Sequence, residues 1–166
     1  MKIYIQDTNI LIDLAELELL NKFVKLNAYF YTTDLIIAEI RNSKQKSKIE
    51  KLINQGILKI IFLKYEELSK IYTLRQENNA LAVEDCSVWY IAQKYNGILL
   101  TGDKKLRKQA YRNGINVRGI LYIFDELVQN EIIEKQTARE KLLQLNAMNP
   151  RLPEEEINHR LKKWKK

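Results

Sequence analysis

Residues Ile98 to Thr101 read ILLT, an apolar run with no polar face. A strand of that kind must be covered on both sides, which is the situation inside a parallel sheet. The flanks agree with this. Ala82 to Tyr95 has helical character and closes at Asn96-Gly97, with a glycine in the usual position after a helix, while Lys104 to Arg112 is helical and stops before Gly114. The same alternation runs through most of the chain. Lys2 to Gln6, Ala28 to Thr33, Ile57 to Leu63 and Ile115 to Val117 have strand patterns, and helical spacing recurs in Asn9 to Phe23, Leu35 to Arg41, Lys44 to Asn54 and Glu66 to Asn78. Strands and helices alternating through short connections predict an α/β fold, with a parallel central sheet of about four to five strands flanked by helices. Past Gly119 only helical patterning remains, interrupted at NPRLP, Asn149 to Pro153.

A parallel sheet gathers ligands at the carboxyl ends of its strands. That rule gives the acidic residues a location. Asp7 follows the first strand and Asp103 follows ILLT, so both are expected at one edge. Glu39 lies in LIIAEIR and Asp85 in LAVEDCSVWYIA, in helices that begin at the same edge. A carboxylate in an apolar helical start is costly to desolvate without compensation. Four of them converging would repel and raise one another's pKa. A divalent cation removes the conflict, and an all-oxygen donor set suits Mg²⁺ or Mn²⁺ rather than zinc. Each residue also has an ordinary reading. Asp7 and Asp103 are placed to be helix N-caps, Glu39 to pair with Arg41 or Lys44 in solvent, and Asp85 to complement a helix dipole from the first turn. Asp13 and Asp34 read as helix-end or surface residues, Cys86, Val88, Trp89 and Ala92 as core, and His159 as a surface residue.

Composition narrows the partners. Among 166 residues, 28 Lys and Arg stand against 21 Asp and Glu, a net charge of +7 that favours polyanions. Cys86 is the only cysteine, which leaves no intramolecular disulfide or cysteine-based zinc site and suits a reducing cytoplasm. The opening MKIYIQDTNILIDL is broken at Asp7, and no run of about 18 uncharged apolar residues occurs, so neither a signal peptide nor a membrane span is expected.

Four segments in order resemble the PIN-domain nucleases, in particular the VapC-like toxins of type II toxin–antitoxin pairs. They are DTNILIDL (Asp7 to Leu14), IIAEIR (Ile36 to Arg41), EDCSVWYIAQKYNGILLTGDKKLRKQA (Glu84 to Ala110) and GINVRGIL (Gly114 to Leu121). The resemblance implies a three-layer PIN-like core over residues 1–120 and a helical extension over 121–166, packing on or projecting from the same domain. It carries the four family acids onto Asp7, Glu39, Asp85 and Asp103, as catalytic residues and ligands of Mg²⁺ or Mn²⁺, with Asn9 and Thr101 in support. It implies metal-dependent endoribonuclease activity, with water rather than a side chain as nucleophile, and Lys104, Lys105, Arg107 and Lys108 binding RNA phosphates. A cognate antitoxin, a homodimer and a cytoplasmic location are implied as well. Two other readings stay open. One is a PIN-like RNA- or protein-binding module without catalysis. The other is a haloacid-dehalogenase-like phosphatase, against which stands Asn9 where that motif has its second aspartate.

Overall fold

The computed structural model describes residues 1–165. Its strands are β1 (Lys2–Gln6), β2 (Ala28–Thr33), β3 (Leu58–Ile61), β4 (Ile98–Leu100) and β5 (Asn116–Arg118). Its helices are α1 (Thr8–Glu16), α2 (Leu20–Phe23), α3 (Asp34–Glu39), α4 (Ser43–Asn54), α5 (Tyr65–Glu77), α6 (Val83–Tyr95), α7 (Lys104–Arg112), α8 (Ile120–Gln129), α9 (Lys135–Met148) and α10 (Glu154–Lys163). The strands form one five-stranded sheet in the order β3-β2-β1-β4-β5, and every pairing is parallel. Three successive β1 residues, Tyr4, Ile5 and Gln6, are at most 1% exposed. Neighbours along a strand point to opposite faces, so this run shows both faces of the sheet covered. Helix α6 lies against β1, β2 and β4 and also touches α3, α5 and α7, while α1 meets α4 and α2, and contacts pass from α2 through α8 and α9 to α10.

The helix expected over Asn9 to Phe23 is two helices. The chain turns at Leu17 to Leu19, where Glu18 takes a left-handed conformation at φ 57°. Apolar spacing continues across the break because Leu17, Leu19 and Leu20 are all buried, so periodicity alone does not reveal it. At the end of α6 the left-handed residue is Asn96, at φ 49°, rather than Gly97. Gly97 is needed for a different reason: a Cβ there would lie 3.1 Å from the Ile3 carbonyl oxygen, where α6 hands the chain to the sheet beside β1. The third strand is shorter than its pattern, Leu58 to Ile61.

The C-terminal helices are joined to the core by burial and charge. Trp164 is 2% exposed and stacks on Phe124 of α8 at 6.4 Å between ring centroids. Arg160 of α10 donates to both carboxylate oxygens of Asp125 in α8, at 3.0 and 2.7 Å, and to Glu156 at 2.8 Å. Arg139 of α9 donates to the Leu161 carbonyl. Lys166 lies outside the described residues. Among the described residues no helix is long and apolar enough to cross a membrane.

Trp164→Ala removes the aromatic stack that joins the end of α10 to α8. We expect it to lower unfolding stability by about 3 kcal/mol in urea titration, with one cooperative transition retained.

Candidate functional site

The strand order locates a crevice. From β1 the chain builds outward through β2 and β3 on one side, then returns to build β4 and β5 on the other. Loops leaving β1 and β4 diverge there, and such a switch point is where open α/β sheets bind ligands. Tyr4, Ile5 and Gln6 pair with Ile98, Leu99 and Leu100, so the next residues of each strand stand side by side. Those residues are Asp7 and Thr101.

Asp7 is 4% exposed and caps α1, accepting from the Thr8 backbone N–H at 2.8 Å. Its second oxygen accepts from the Thr101 hydroxyl at 2.6 Å and from the Asn9 amide at 3.3 Å. Thr101 also accepts from the backbone N–H of Asp103 at 3.1 Å, and Asn9 from that of Gly102 at 2.9 Å. Both polar residues expected in support therefore tie the loop after β4 to the loop after β1. Asp103 caps α7, taking the Leu106 N–H at 2.8 Å. Asp85 reaches back from the first turn of α6 to the Ala82 N–H at 2.9 Å. Glu39 ends α3, exposed, and accepts from the Thr8 hydroxyl rather than pairing with Arg41 or Lys44. Capping and clustering are thus not alternatives: Asp7, Asp85 and Asp103 each satisfy a helix end and still stand at the same edge.

The charges are coupled. Burial pushes the Asp7 carboxyl up to about 6, against the lowering effect of its bonds from Thr101 and Thr8, and the charges of Asp85 and Glu39 push the same way. Asp85 is raised first by burial, opposed by the Ala82 N–H, and further by the charges of Asp103, Glu39 and Glu84. Asp85 links the group, since it feels the charges of Asp103 and Glu39 and its own charge acts on Asp7. Among the described residues, Oδ1 of Asp85, Oδ2 of Asp103 and Oε1 of Glu39 keep no protein donor.

The donor set is carboxylate oxygen throughout, which fits a hard cation. No three His, Cys, Asp or Glu side chains among the described residues stand close enough to grip one ion. Magnesium does not require such a cage, because it keeps several waters and takes one or two carboxylates with phosphate oxygens of the substrate. The residues present fit Mg²⁺ or Mn²⁺ held partly through water.

Two contributors escape sequence reading. Thr8 holds Glu39 at the mouth of the crevice. Ser87 of α6 shares a buried hydrogen bond of 2.9 Å with Thr33, the N-cap of α3, which fixes the helix of Glu39 against that of Asp85. Neither bond follows a spacing rule. Asp13 is a further surprise: rather than a plain surface residue it is half-buried, and burial pushes its carboxyl up to about 6. Lys104, Lys105, Arg107 and Lys108 are exposed on α7, and the first three border a groove of about 970 Å³ that begins at Asn9, Gly102 and Asp103; Lys108 does not.

Comparison with known proteins agrees with the fold. A family model described as PIN domain, DUF3368, matches residues 3–166. No curated protein matches the chain. Among solved structures, PAE2754 from Pyrobaculum aerophilum is 17% identical, covers 77% of this chain and 98% of its own, and superposes with a TM-score of 0.57. VapBC2 from Rickettsia felis, bound to a DNA fragment from its promoter, is 19% identical over 70% of this chain and 98% of its own, with a TM-score of 0.51. VapBC-1 from nontypeable Haemophilus influenzae is 16% identical over 70% of this chain and 97% of its own, with a TM-score of 0.50. At these identities the likeness is one of fold.

Because the folded-state pKa of Asp7 lies above its unfolded value of 3.8, folding binds a proton there, and the stability this gives is complete below about pH 4 and lost as pH rises to about 6. We expect Asp7→Asn, which cannot ionise, to gain on the parent protein by on the order of 2–3 kcal/mol across that window, read from urea titrations with a chelator present.

Proposed function

The chain belongs to the PIN-domain family, and on that premise we propose that it is a metal-dependent endoribonuclease and the toxin of a toxin–antitoxin pair. The observation that carries the reading is the meeting of Asp7, Glu39, Asp85 and Asp103 at the switch-point edge, close enough for each to act on the charge of another. A protein that keeps mutually repelling carboxylates partly desolvated needs a positive partner for them at neutral pH.

The roles follow from the contacts. Asp7 is held on both oxygens by Thr8, Thr101 and Asn9, so its position is fixed before any ligand arrives. Asp85 and Asp103 are each anchored through one oxygen and keep the other without a protein donor, and all three are the proposed ligands, directly or through water. Glu39, steered by the Thr8 hydroxyl at the exposed rim, is a ligand or orients the attacking water. Bound Mg²⁺ or Mn²⁺ supplies a lowered pKa for coordinated water and a counter-charge for the phosphate undergoing attack. Lys104, Lys105, Arg107 and Lys108 follow Asp103 directly on α7, where they can bind neighbouring phosphates of the RNA while the carboxylates stay clear. The sole histidine, His159, lies on α10, and the acids rather than an imidazole are assigned the handling of water.

The likeness in fold to the VapBC structures supports a cognate antitoxin covering the acidic edge. We extend the reading to a homodimer working in the cytoplasm, with a PIN core over residues 1–120 and the helices of 121–166 as its extension. No membrane partner is invoked.

The purified chain is expected to cut single-stranded RNA with Mg²⁺ or Mn²⁺ present, and to stop when a chelator removes them. Asp103→Asn should lower the cleavage rate by about 100-fold or more, with far-ultraviolet circular dichroism unchanged. RNA that is bound yet never cut would make the chain a binding module. Turnover of small phosphoesters without RNA cleavage would favour the phosphatase.

A further inference from the structure

The groove that begins at Asp103 does not end at α7. It runs past the loop joining β5 to α8 and is closed on its far side by the α9–α10 connection, Asn149 to Pro153. Five cations face it: Lys104, Lys105 and Arg107 from α7, Arg118 from the end of β5, and Arg151 from that connection. Among the described residues none of the five has an acidic partner within 4.0 Å, since the ion pairs present use Lys2, Lys94, Lys141 and Arg160. Arg160 also borders the groove, but Asp125 and Glu156 occupy its guanidinium, so it serves as a strut for the wall. The Arg107 guanidinium lies over Gly119, where a Cβ would come within 3.1 Å of it. Arg118 rests above the Tyr122 ring at 5.6 Å. Both are thereby held along the groove floor without being neutralised. A row of unpaired cations leading away from an acidic centre matches a polyanion whose one phosphate enters that centre while the next ones lie outside it.

We propose that this groove is the track for the RNA strand beside the scissile phosphate, and that the C-terminal helices build its second wall, with Arg118 and Arg151 as phosphate contacts. The inference rests on the nuclease reading for its polarity and deepens it by naming the residues that hold the flanking strand. The helical extension thereby gains a part in substrate binding. The Phe124–Trp164 stack and the Asp125–Arg160 pair hold α10 on α8, and so hold the Arg151 loop facing α7.

The test uses the full chain and a labelled single-stranded RNA of about 15 nucleotides. Binding of the RNA is read by fluorescence anisotropy with chelator present, so it does not depend on cutting. The Arg118→Gln/Arg151→Gln variant should bind it about tenfold more weakly, and the slope of log affinity against log salt should flatten by about 1.4, or about 0.7 for each lost contact. Arg151→Gln alone, in an exposed loop, should give about half the change in slope, and controls for any disturbance around Tyr122. Unchanged affinity and slope in the double variant overturn the proposal. So does a loss confined to binding of poly-glutamate, which would assign the groove to an acidic protein segment. A parent chain that binds the RNA through these arginines but cuts nothing leaves the track standing and removes the nuclease.

Discussion

Parallel pairing of β1 with β4 at the centre of the sheet is the constraint from which the site follows. Once Gln6 is registered against Leu100, Asp7 and Thr101 have to emerge as neighbours. The 2.6 Å bond between them then joins two parts of the chain that are 94 residues apart. Thr101 works in both directions, donating to Asp7 and accepting from Asp103, so one hydroxyl sets the first acid relative to the last. The remaining two acids enter on helices that the same sheet positions: α3 follows β2 directly, and α6 packs across β1, β2 and β4. A serine–threonine bond in the core locks those two helices to each other.

The acids carry a structural load as well as a chemical one. Asp7, Asp85 and Asp103 each satisfy backbone donors at the start of a helix, which ordinarily stabilises a fold. Their proximity and burial work against that gain when all are ionised, and the raised pKa values of Asp7 and Asp85 express the conflict. Natural proteins concentrate such local conflicts at functional sites. Elsewhere the buried polar side chains are paired, and Gln6 alone keeps a buried side-chain oxygen without a partner among the described residues.

The alternation of strands and helices was legible because each follows from short-range chemistry: apolar runs, capping residues and glycines past helix ends. ILLT in particular announces a doubly covered strand before any partner is known. Asp7 and Asp103 were legible as edge residues for the same reason, since each directly follows a strand. What stayed hidden depends on tertiary contact. The turn at Glu18 is masked by leucines that remain buried on both sides of it, and the left-handed residue at Asn96 is displaced from the neighbouring glycine, which is itself required by an approach to β1. Thr8, Ser87 and the half-burial of Asp13 lie beyond any spacing argument, because their surroundings come from chain segments distant in sequence. Arg118 and Arg151 are ordinary surface cations until the C-terminal helices fold back and face them toward α7.

The central claim is that these acids share a hard cation at the carboxyl edge of β1 and β4. Its most direct test is a crystal of the chain soaked in Mn²⁺, with data collected near the manganese absorption edge. An anomalous peak among the carboxylates of Asp7, Asp85 and Asp103 is the predicted result. Anomalous density found only elsewhere on the molecule, with that crevice holding nothing but solvent, would contradict it.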